Sequence, residues 1–160
     1  MLTDDFIRLR SLSGVHTSII QIILDRGFVM VWTYRFFSAW RTSFFEFRQL
    51  RGLLESFWFL LSGSMLPSGC KIGRGLVVFH GIAVIVNSKV LMGENVTLYH
   101  GVTIGERFPG DKCPILGNSV VVGAGACILG PVTIPSHSIV PANTVVTPAS
   151  ITNIKQCKFK

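Results

Sequence analysis

The spacing of hydrophobic residues changes near residue 62. Before that point apolar side chains recur at helical intervals with almost no glycine or proline, which predicts a helical region over residues 1–62. Its arginines are expected to lie on solvated faces with their stems covering apolar surface. They are Arg8, Arg10, Arg26, Arg35, Arg41, Arg48 and Arg51. Its aromatic residues are expected to supply packing or a contact between subunits. They are Trp32, Phe36, Phe37, Trp40, Phe44 and Phe47.

Further along the chain, the apolar positions follow a period of six residues. The first apolar residue of a repeat is often followed directly by glycine, and a second small or apolar residue usually comes four positions after the first. The first positions are Leu66, Ile72, Val78, Val86, Met92, Leu98, Ile104, Leu116, Val122, Ile128, Ile134, Val140 and Val146. The second positions include Leu76, Val90, Val96, Val102, Val120, Ala126 and Val132.

This six-residue repeat predicts a parallel β-solenoid. Each repeat is one short strand and a corner, and it buries its apolar residue only by stacking on other repeats. The first apolar positions are therefore expected to point inward and to pack on their equivalents in adjacent coils, at a strand spacing of about 4.8 Å. The expected organisation is a helical region at 1–62, a repeat domain at 63–148 and a basic tail at 149–160.

The composition indicates which binding partners and which cellular compartment are expected. The formal net charge is +7, but the basic residues are scattered singly, which argues against a nucleic-acid-binding surface. The four cysteines lack the C-x-x-C spacing of a zinc site and follow no recognisable signal peptide, so reduced thiols in the cytoplasm are expected. They are Cys70, Cys113, Cys127 and Cys157.

Two apolar stretches precede the repeat. The stretch at 19–37 is interrupted by Asp25 and Arg26, and the stretch at 53–63 is too short to span a bilayer. Both are expected to be packed helices. Peripheral contact with the inner face of a membrane is the alternative.

His80 and His100 interrupt a run of small and β-branched residues. The step from Val78 to Val86 is eight residues, so twenty residues separate the histidines: three repeats plus a two-residue insertion. They are expected to lie one coil apart on the same edge, about 5 Å from each other. A neutral imidazole is suited to remove a hydroxyl proton near neutral pH, which favours a catalytic role over a structural one, more strongly for His80 than for His100.

Four segments of the repeat carry a family resemblance. They are IGRGLVVFHGIAVIV at 72–86, VTLYHGVTIG at 96–105, GDKCP at 110–114 and VGAGACILGPVTI at 122–134. Together they resemble hexapeptide-repeat acyltransferases, in particular serine acetyltransferases and, more closely, the capsule and colanic-acid type O-acetyltransferases. The resemblance covers about residues 66–147 and implies a left-handed parallel β-helix with three repeats per coil.

The resemblance also implies residue roles. His80 matches the catalytic base of serine acetyltransferases, and His100 is expected to orient the acceptor or to stabilise the oxyanion. Residues 106–114 are expected to leave the coil as a loop that contacts the acceptor through Arg107, Asp111, Lys112 and Cys113. The expected lining of the acetyl-CoA groove between subunits is Gly105, Ala124 and Ala142. The tail lysines Lys155, Lys158 and Lys160 are expected either to meet the CoA phosphates or to belong to a disordered end.

Three positions depart from the serine acetyltransferase pattern. Met65 occupies the place of the aspartate that those enzymes pair with their base, and Lys112 and Cys113 replace the Arg and His of their GDRHP loop. A lysine holds a carboxylate less well than a bidentate guanidinium, which argues against serine as the acceptor. Cys113 is expected to be a small packed residue rather than a thiolate.

The sequence therefore predicts an acetyl-CoA-dependent O-acetyltransferase. The favoured acceptor is a saccharide hydroxyl in capsule or exopolysaccharide biosynthesis, with a homotrimer as the expected assembly. Serine O-acetyltransferase of cysteine biosynthesis is one alternative, and a non-catalytic β-solenoid used for assembly is another. A metal site is not expected, because His137 lies too far along the coil to join the histidine pair and His16 belongs to the helices.

Overall fold

The computed structural model describes residues 1–13, 18–40, 48–150 and 155–156. In its helical part the elements are α1 (Leu2–Ser13), α2 (Ile19–Ile23), α3 (Arg26–Trp40) and α4 (Arg48–Ser62). Helix α2 begins with a capping box, in which Ser18 accepts from the Gln21 amide and the Gln21 side chain accepts from the Ser18 amide. His16, Arg41, Phe44 and Phe47 lie outside the described residues, as do the side chains of Trp40, Arg48 and Arg51.

Short strands follow in regular succession. They are β1 (Lys71–Ile72), β2 (Val77–Val78), β3 (Ile85–Val86), β4 (Leu91–Met92), β5 (Thr97–Leu98), β6 (Thr103–Gly105), β7 (Ile115–Leu116), β8 (Val121–Val122), β9 (Cys127–Leu129), β10 (Thr133–Ile134), β11 (Ser138–Val140), β12 (Val145–Val146) and β13 (Lys155–Gln156).

The strands form three parallel faces of a β-helix. Face 1 stacks β1, β4, β7 and β10, face 2 stacks β2, β5, β8 and β11, and face 3 stacks β3, β6, β9 and β12. The register joins Lys71 to Leu91, Leu91 to Ile115 and Ile115 to Thr133, so successive coils span 20, 24 and 18 residues. The predicted left-handed parallel β-helix with a helical N-terminal region is confirmed.

Stacked apolar residues fill the β-helix. Every residue predicted at a first or second apolar position of the repeat is buried. Full burial of a Val, Leu or Ile side chain contributes about 1.5–3 kcal/mol, so the stack is the main source of stability. The inward orientation predicted from the repeat is confirmed.

Buried polar groups attach the helices to the first coil. Arg35 is 8% exposed and pairs with Asp5, which is 1% exposed, at 2.8 Å. The guanidinium also donates to the carbonyl oxygen of Ile72 at 2.8 Å, and Asp5 accepts from the amide of Leu76 at 2.8 Å. Arg8 is partly buried and donates to the carbonyl oxygen of Val96 at 2.9 Å.

The solvated positions predicted for Arg8 and Arg35 are therefore wrong. Both guanidiniums are held by main-chain carbonyl groups of the β-helix, Arg35 by that of Ile72 and Arg8 by that of Val96, which also accepts from the amide of Val77. Arg10 and Arg26 are exposed, as predicted.

The aromatic residues of α3 divide between core and surface. Phe37 is buried, whereas Trp32 and Phe36 are 47% and 50% exposed. The exposed pair stacks with ring centroids 5.8 Å apart. Among the described helices, none has both the length and the apolar character required to cross a bilayer.

The tail adds one strand to face 2. Strand β13 pairs antiparallel with β11, with Ser138 opposite Gln156 and Ile139 opposite Lys155. Cys157, Lys158 and Lys160 lie outside the described residues. At Lys155 the structure describes the strand but not the side chain.

Candidate active site

The corner between faces 2 and 3 brings the two histidines together. The ring centroids of His80 and His100 are 5.7 Å apart, with an angle of 62° between the ring planes. Strand β2 pairs with β5 in the register Val78 to Leu98, which places the two histidines directly opposite each other in adjacent coils. Both side chains are exposed. The one-coil offset predicted from the sequence is what the structure shows, while their catalytic role stays a prediction.

Main-chain hydrogen bonds connect this corner through all four coils. Gly101 donates to the carbonyl of Ile82, Gly125 to that of His100 and Asn143 to that of Ala124, at 2.9, 2.9 and 2.8 Å. Ala124 and Ala142 therefore continue the column that His80 and His100 begin. This column is termed the histidine edge.

The first coil departs from the others at the histidine edge. Its two-residue insertion forms a turn in which His80 has φ 68°, Gly81 φ 47° and Ala83 φ 53°. Residues with a Cβ seldom adopt positive φ, and such strain is concentrated at functional sites. In the second coil the positive φ falls on Gly101 instead, so His100 has an ordinary backbone.

An aromatic pair stands beside the histidines. Phe79 and Tyr99 precede His80 and His100, and their ring centroids are 5.1 Å apart. Phe79 also packs against the cluster of Leu9, Ile22 and Val77 beneath the helices. The two rings, tilted by 32° to each other, give the candidate site an aromatic neighbour on one side.

The predicted acceptor loop starts from a different corner. Residues 106–114 lie between faces 3 and 1 in the second coil, and they account for its length of 24 residues. Arg107 stacks over Phe108, with its guanidinium carbon 5.2 Å from the ring centroid, and Asp111 accepts from the Phe108 amide at 3.2 Å. Lys112 is exposed. Among the described contacts, none joins these loop residues to a histidine.

Glu106 anchors the base of this loop. Its carboxylate pairs with Lys89 at 2.8 Å and accepts from the amide of Gly110 at 3.1 Å. Lys89 holds the pKa of this carboxyl below its ordinary value, mainly through their hydrogen bond. The loop is thus tied to the preceding coil on its own edge.

Cys113 ends the loop and packs against the hydrophobic core. Burial raises the pKa of its thiol, and the neighbouring charge of Glu106 raises it further. A raised pKa disfavours the thiolate, which is the nucleophilic form. This geometry accords with the small packed residue predicted from the sequence.

The residues predicted to line the donor groove lie on two edges. Ala124 and Ala142 are on the histidine edge, whereas Gly105 ends β6 at the corner from which the loop departs. A Cβ on Gly105 would lie 3.3 Å from the Cβ of Asn87. One chain therefore brings only two of these three residues to the histidines.

Met65 occupies the position at which the resemblance to serine acetyltransferases implies an aspartate. Its main chain pairs with Ile85, and its side chain is 40% exposed. The neighbouring Ser64 is fully buried and contacts the turn of His80. Sequence reasoning missed Ser64, because a lone serine ahead of the first repeat carries no periodic signal. Within the described residues, His, Cys, Asp and Glu form no group of three or more that could hold a metal ion.

No family model matches the chain, but individual proteins do. It is 44% identical to a serine acetyltransferase of Helicobacter pylori over 88 residues, which are 54% of this chain and 52% of that protein. It is 36% identical to the serine acetyltransferase of Mycobacterium tuberculosis over 101 residues, 62% of this chain and 44% of that protein. The chain thus spans about half the length of these curated relatives.

Solved structures share the fold. The serine acetyltransferase of Neisseria gonorrhoeae in complex with serine matches with a TM-score of 0.83 and 23% identity, over 91% of this chain and 60% of that one. The serine acetyltransferase of Brucella abortus in complex with coenzyme A matches with a TM-score of 0.80 and 22% identity, over 91% and 60% of the two chains. At these identities the match shows the fold.

These relatives correct two expectations from the sequence. The greater similarity to capsule-type enzymes is not supported, and the assignment to a saccharide acceptor in capsule or exopolysaccharide biosynthesis is wrong, because the relatives are serine acetyltransferases. The expectation of a saccharide acceptor rested on two residues, Lys112 and Cys113, whereas the similarity to serine acetyltransferases extends over 88 residues. Over about half of its length the chain is therefore similar to serine acetyltransferases, and it shares the fold of their solved structures.

Proposed function

We propose that this protein transfers an acetyl group from acetyl-CoA to the hydroxyl of serine. The observation that carries the proposal is the stacked pair of His80 and His100, 5.7 Å apart, on a β-helix whose relatives are serine acetyltransferases. A purely structural solenoid has no need of two exposed imidazoles beside a strained turn.

His80 acts as the general base in this proposal. Its imidazole removes the proton from the serine hydroxyl while the oxygen attacks the thioester carbonyl. The tetrahedral intermediate then collapses, the carbon–sulfur bond breaks, and the imidazolium returns the proton to the CoA thiolate. The products are O-acetylserine and CoA, and the histidine ends the cycle neutral.

His100 serves the acceptor or the oxyanion. Its ring lies next to that of His80, where it can donate a hydrogen bond to the developing negative oxygen. Acetyl-CoA is the donor, and Ala124 and Ala142 leave room for its pantetheine arm along the histidine edge.

A homotrimer completes the proposed site. The histidines and loop 106–114 lie on different corners of one chain, so a threefold arrangement can bring one copy's loop to its neighbour's histidines. The same arrangement would join Gly105 of one subunit to Ala124 and Ala142 of another. Among the residues that the structure describes, Cys70, Cys113 and Cys127 have free thiols, which is consistent with a cytoplasmic location.

The departures at Met65, Lys112 and Cys113 affect the orientation of His80 and the binding of serine. Without a carboxylate at 65, other contacts must orient His80, and Lys112 must supply the positive charge that meets the serine carboxylate. Lysine does so as a point charge rather than a bidentate fork, which predicts a weaker hold on serine.

The test is release of CoA thiol from acetyl-CoA with L-serine, L-threonine and L-homoserine as acceptors. We expect turnover with serine, identification of O-acetylserine by mass spectrometry, and background rates for the His80→Ala variant. Thiol release that does not depend on serine would contradict the proposal.

A further inference from the structure

A buried serine spans the turn that carries His80. Ser64 has a side chain with 0% exposure. Its hydroxyl donates to the carbonyl oxygen of Gly81 at 2.9 Å and accepts from the amide of Val84 at 3.2 Å. The carbonyl oxygen of Ser62 is farther away, at 3.4 Å, so the single hydroxyl proton is assigned to Gly81. The Ser64 hydroxyl thus links both ends of the insertion that follows His80.

The turn requires such support because its backbone is strained. His80 and Ala83 both carry a Cβ at positive φ, which costs roughly 1–3 kcal/mol per residue and persists only where the surroundings impose it. The corresponding corner of the second coil avoids this cost by placing Gly101 at φ 70°.

Helix α3 confines the opposite side of the turn. A Cβ on Gly81 would lie 2.7 Å from the amide nitrogen of Gly27 and 2.8 Å from the carbonyl carbon of Arg26. A Cβ on Gly27 would lie 1.7 Å from the carbonyl oxygen of Val78. The first turn of the helix is therefore in direct backbone contact with both ends of the segment from Val78 to Gly81.

We propose that Ser64 is a positioning residue that holds His80 in place beside His100. The kinetic part of this inference rests on the proposed acetyl transfer. Without the hydroxyl, the Gly81 carbonyl and the Val84 amide lose their side-chain partner in a buried place, and the strained turn relaxes. The imidazole then leaves the geometry needed for proton removal, while groups that bind acetyl-CoA are unchanged.

The matched comparison is Ser64→Ala against Ser138→Ala. Ser138 is also 0% exposed, and its hydroxyl has no hydrogen-bond partner within the described part of the chain. We expect Ser64→Ala to lower kcat about tenfold or more, with the KM for acetyl-CoA within about twofold, since small displacements of a catalytic group are costly. Ser138→Ala should keep the wild-type values. Equal kcat in the two variants would overturn the inference.

A second measurement does not depend on turnover. In spectra of protein with labelled histidine side chains, assigned through His80→Ala and His100→Ala, the ring resonances of His80 and His100 should move in Ser64→Ala while that of His137 stays. Unchanged His80 and His100 resonances would overturn the inference whatever the kinetics. If the wild-type protein does not acetylate serine, the proposed function fails, and these resonances alone decide whether Ser64 positions the histidine.

Discussion

The first coil and the three later coils are stabilised in different ways. In the later coils β-branched and Leu side chains stack in columns, and each strand pairs with its equivalent in the adjacent coil. The first coil relies on contacts that occur once: the Asp5–Arg35 pair, the Ser64 hydroxyl and the close approach of α3 at Gly27. The repeated contacts build the scaffold, and the single contacts shape the candidate site.

The largest expected effect comes from the histidines themselves. His80→Ala should lower kcat by about 10²- to 10⁴-fold, the usual contribution of a general base, while His100→Ala should lose less. Both side chains are exposed at corners, so circular dichroism should show an unchanged fold. Residual activity above about a tenth in His80→Ala would refute the general-base assignment. Equal losses in the two variants would mean that the strained turn confers no special role.

Next in size is the loss of the buried ion pair. Arg35→Ala leaves the buried Asp5 carboxyl without its guanidinium partner, which should lower the free energy of unfolding by about 3–5 kcal/mol. The double variant Arg35→Met with Asp5→Leu removes both charges and should recover part of that loss, because the Ile72 carbonyl and the Leu76 amide stay without their side-chain partners. Urea unfolding measures both variants. A loss below about 1 kcal/mol for Arg35→Ala would show that the helices do not depend on this pair.

A smaller loss is expected within the repeated core. Ile128→Val in the third coil removes one buried methylene-sized group and should cost about 0.5–1.5 kcal/mol. Ile115→Val provides the control, since this side chain on face 1 points outward and is 44% exposed; its cost should stay within about 0.5 kcal/mol. Equal effects at the two positions would contradict the assignment of inward and outward positions.

The difference between the coils also explains what the sequence could predict. The period of six predicts the strands, the inward residues and the one-coil offset of His80 and His100, because inward-facing positions recur every six residues along the chain. The loop was predicted because Arg107, Asp111 and Lys112 cannot face an apolar interior. Each of these inferences uses a pattern that several residues share.

Single contacts escaped prediction. An arginine at position 35 reads as a surface residue unless its buried partner is known, and Asp5 is thirty residues away. The role of Ser64 likewise cannot be predicted without the folded structure, which brings the turn of His80 next to it. The saccharide acceptor was a wrong inference for a related reason: it rested on Lys112 and Cys113 alone, whereas the similarity to serine acetyltransferases extends over 88 residues.

The smallest expected effect concerns the exposed pair at the base of the loop, and it should depend on pH. The hydrogen bond from Lys89 lowers the pKa of Glu106 below its ordinary 4.5, and the same bond raises the pKa of Lys89 above its ordinary 10.5. Because the pKa of Glu106 is lower in the folded than in the unfolded state, its contribution to stability is fully present above the unfolded-state pKa and is lost as pH falls through the folded-state pKa. Because the pKa of Lys89 is higher in the folded state, its contribution is lost as pH rises through that raised pKa. The difference in unfolding free energy between wild type and Glu106→Gln should therefore be greatest between the ordinary carboxyl pKa of 4.5 and the ordinary lysine pKa of 10.5, and it should shrink as pH falls through the lowered pKa of Glu106. Urea unfolding across this range measures it, and added salt should shrink it because the Lys89 side chain is 66% exposed to solvent. A difference that does not shrink as pH falls would mean that Glu106 supports the loop through packing or through Gly110 rather than through its charge.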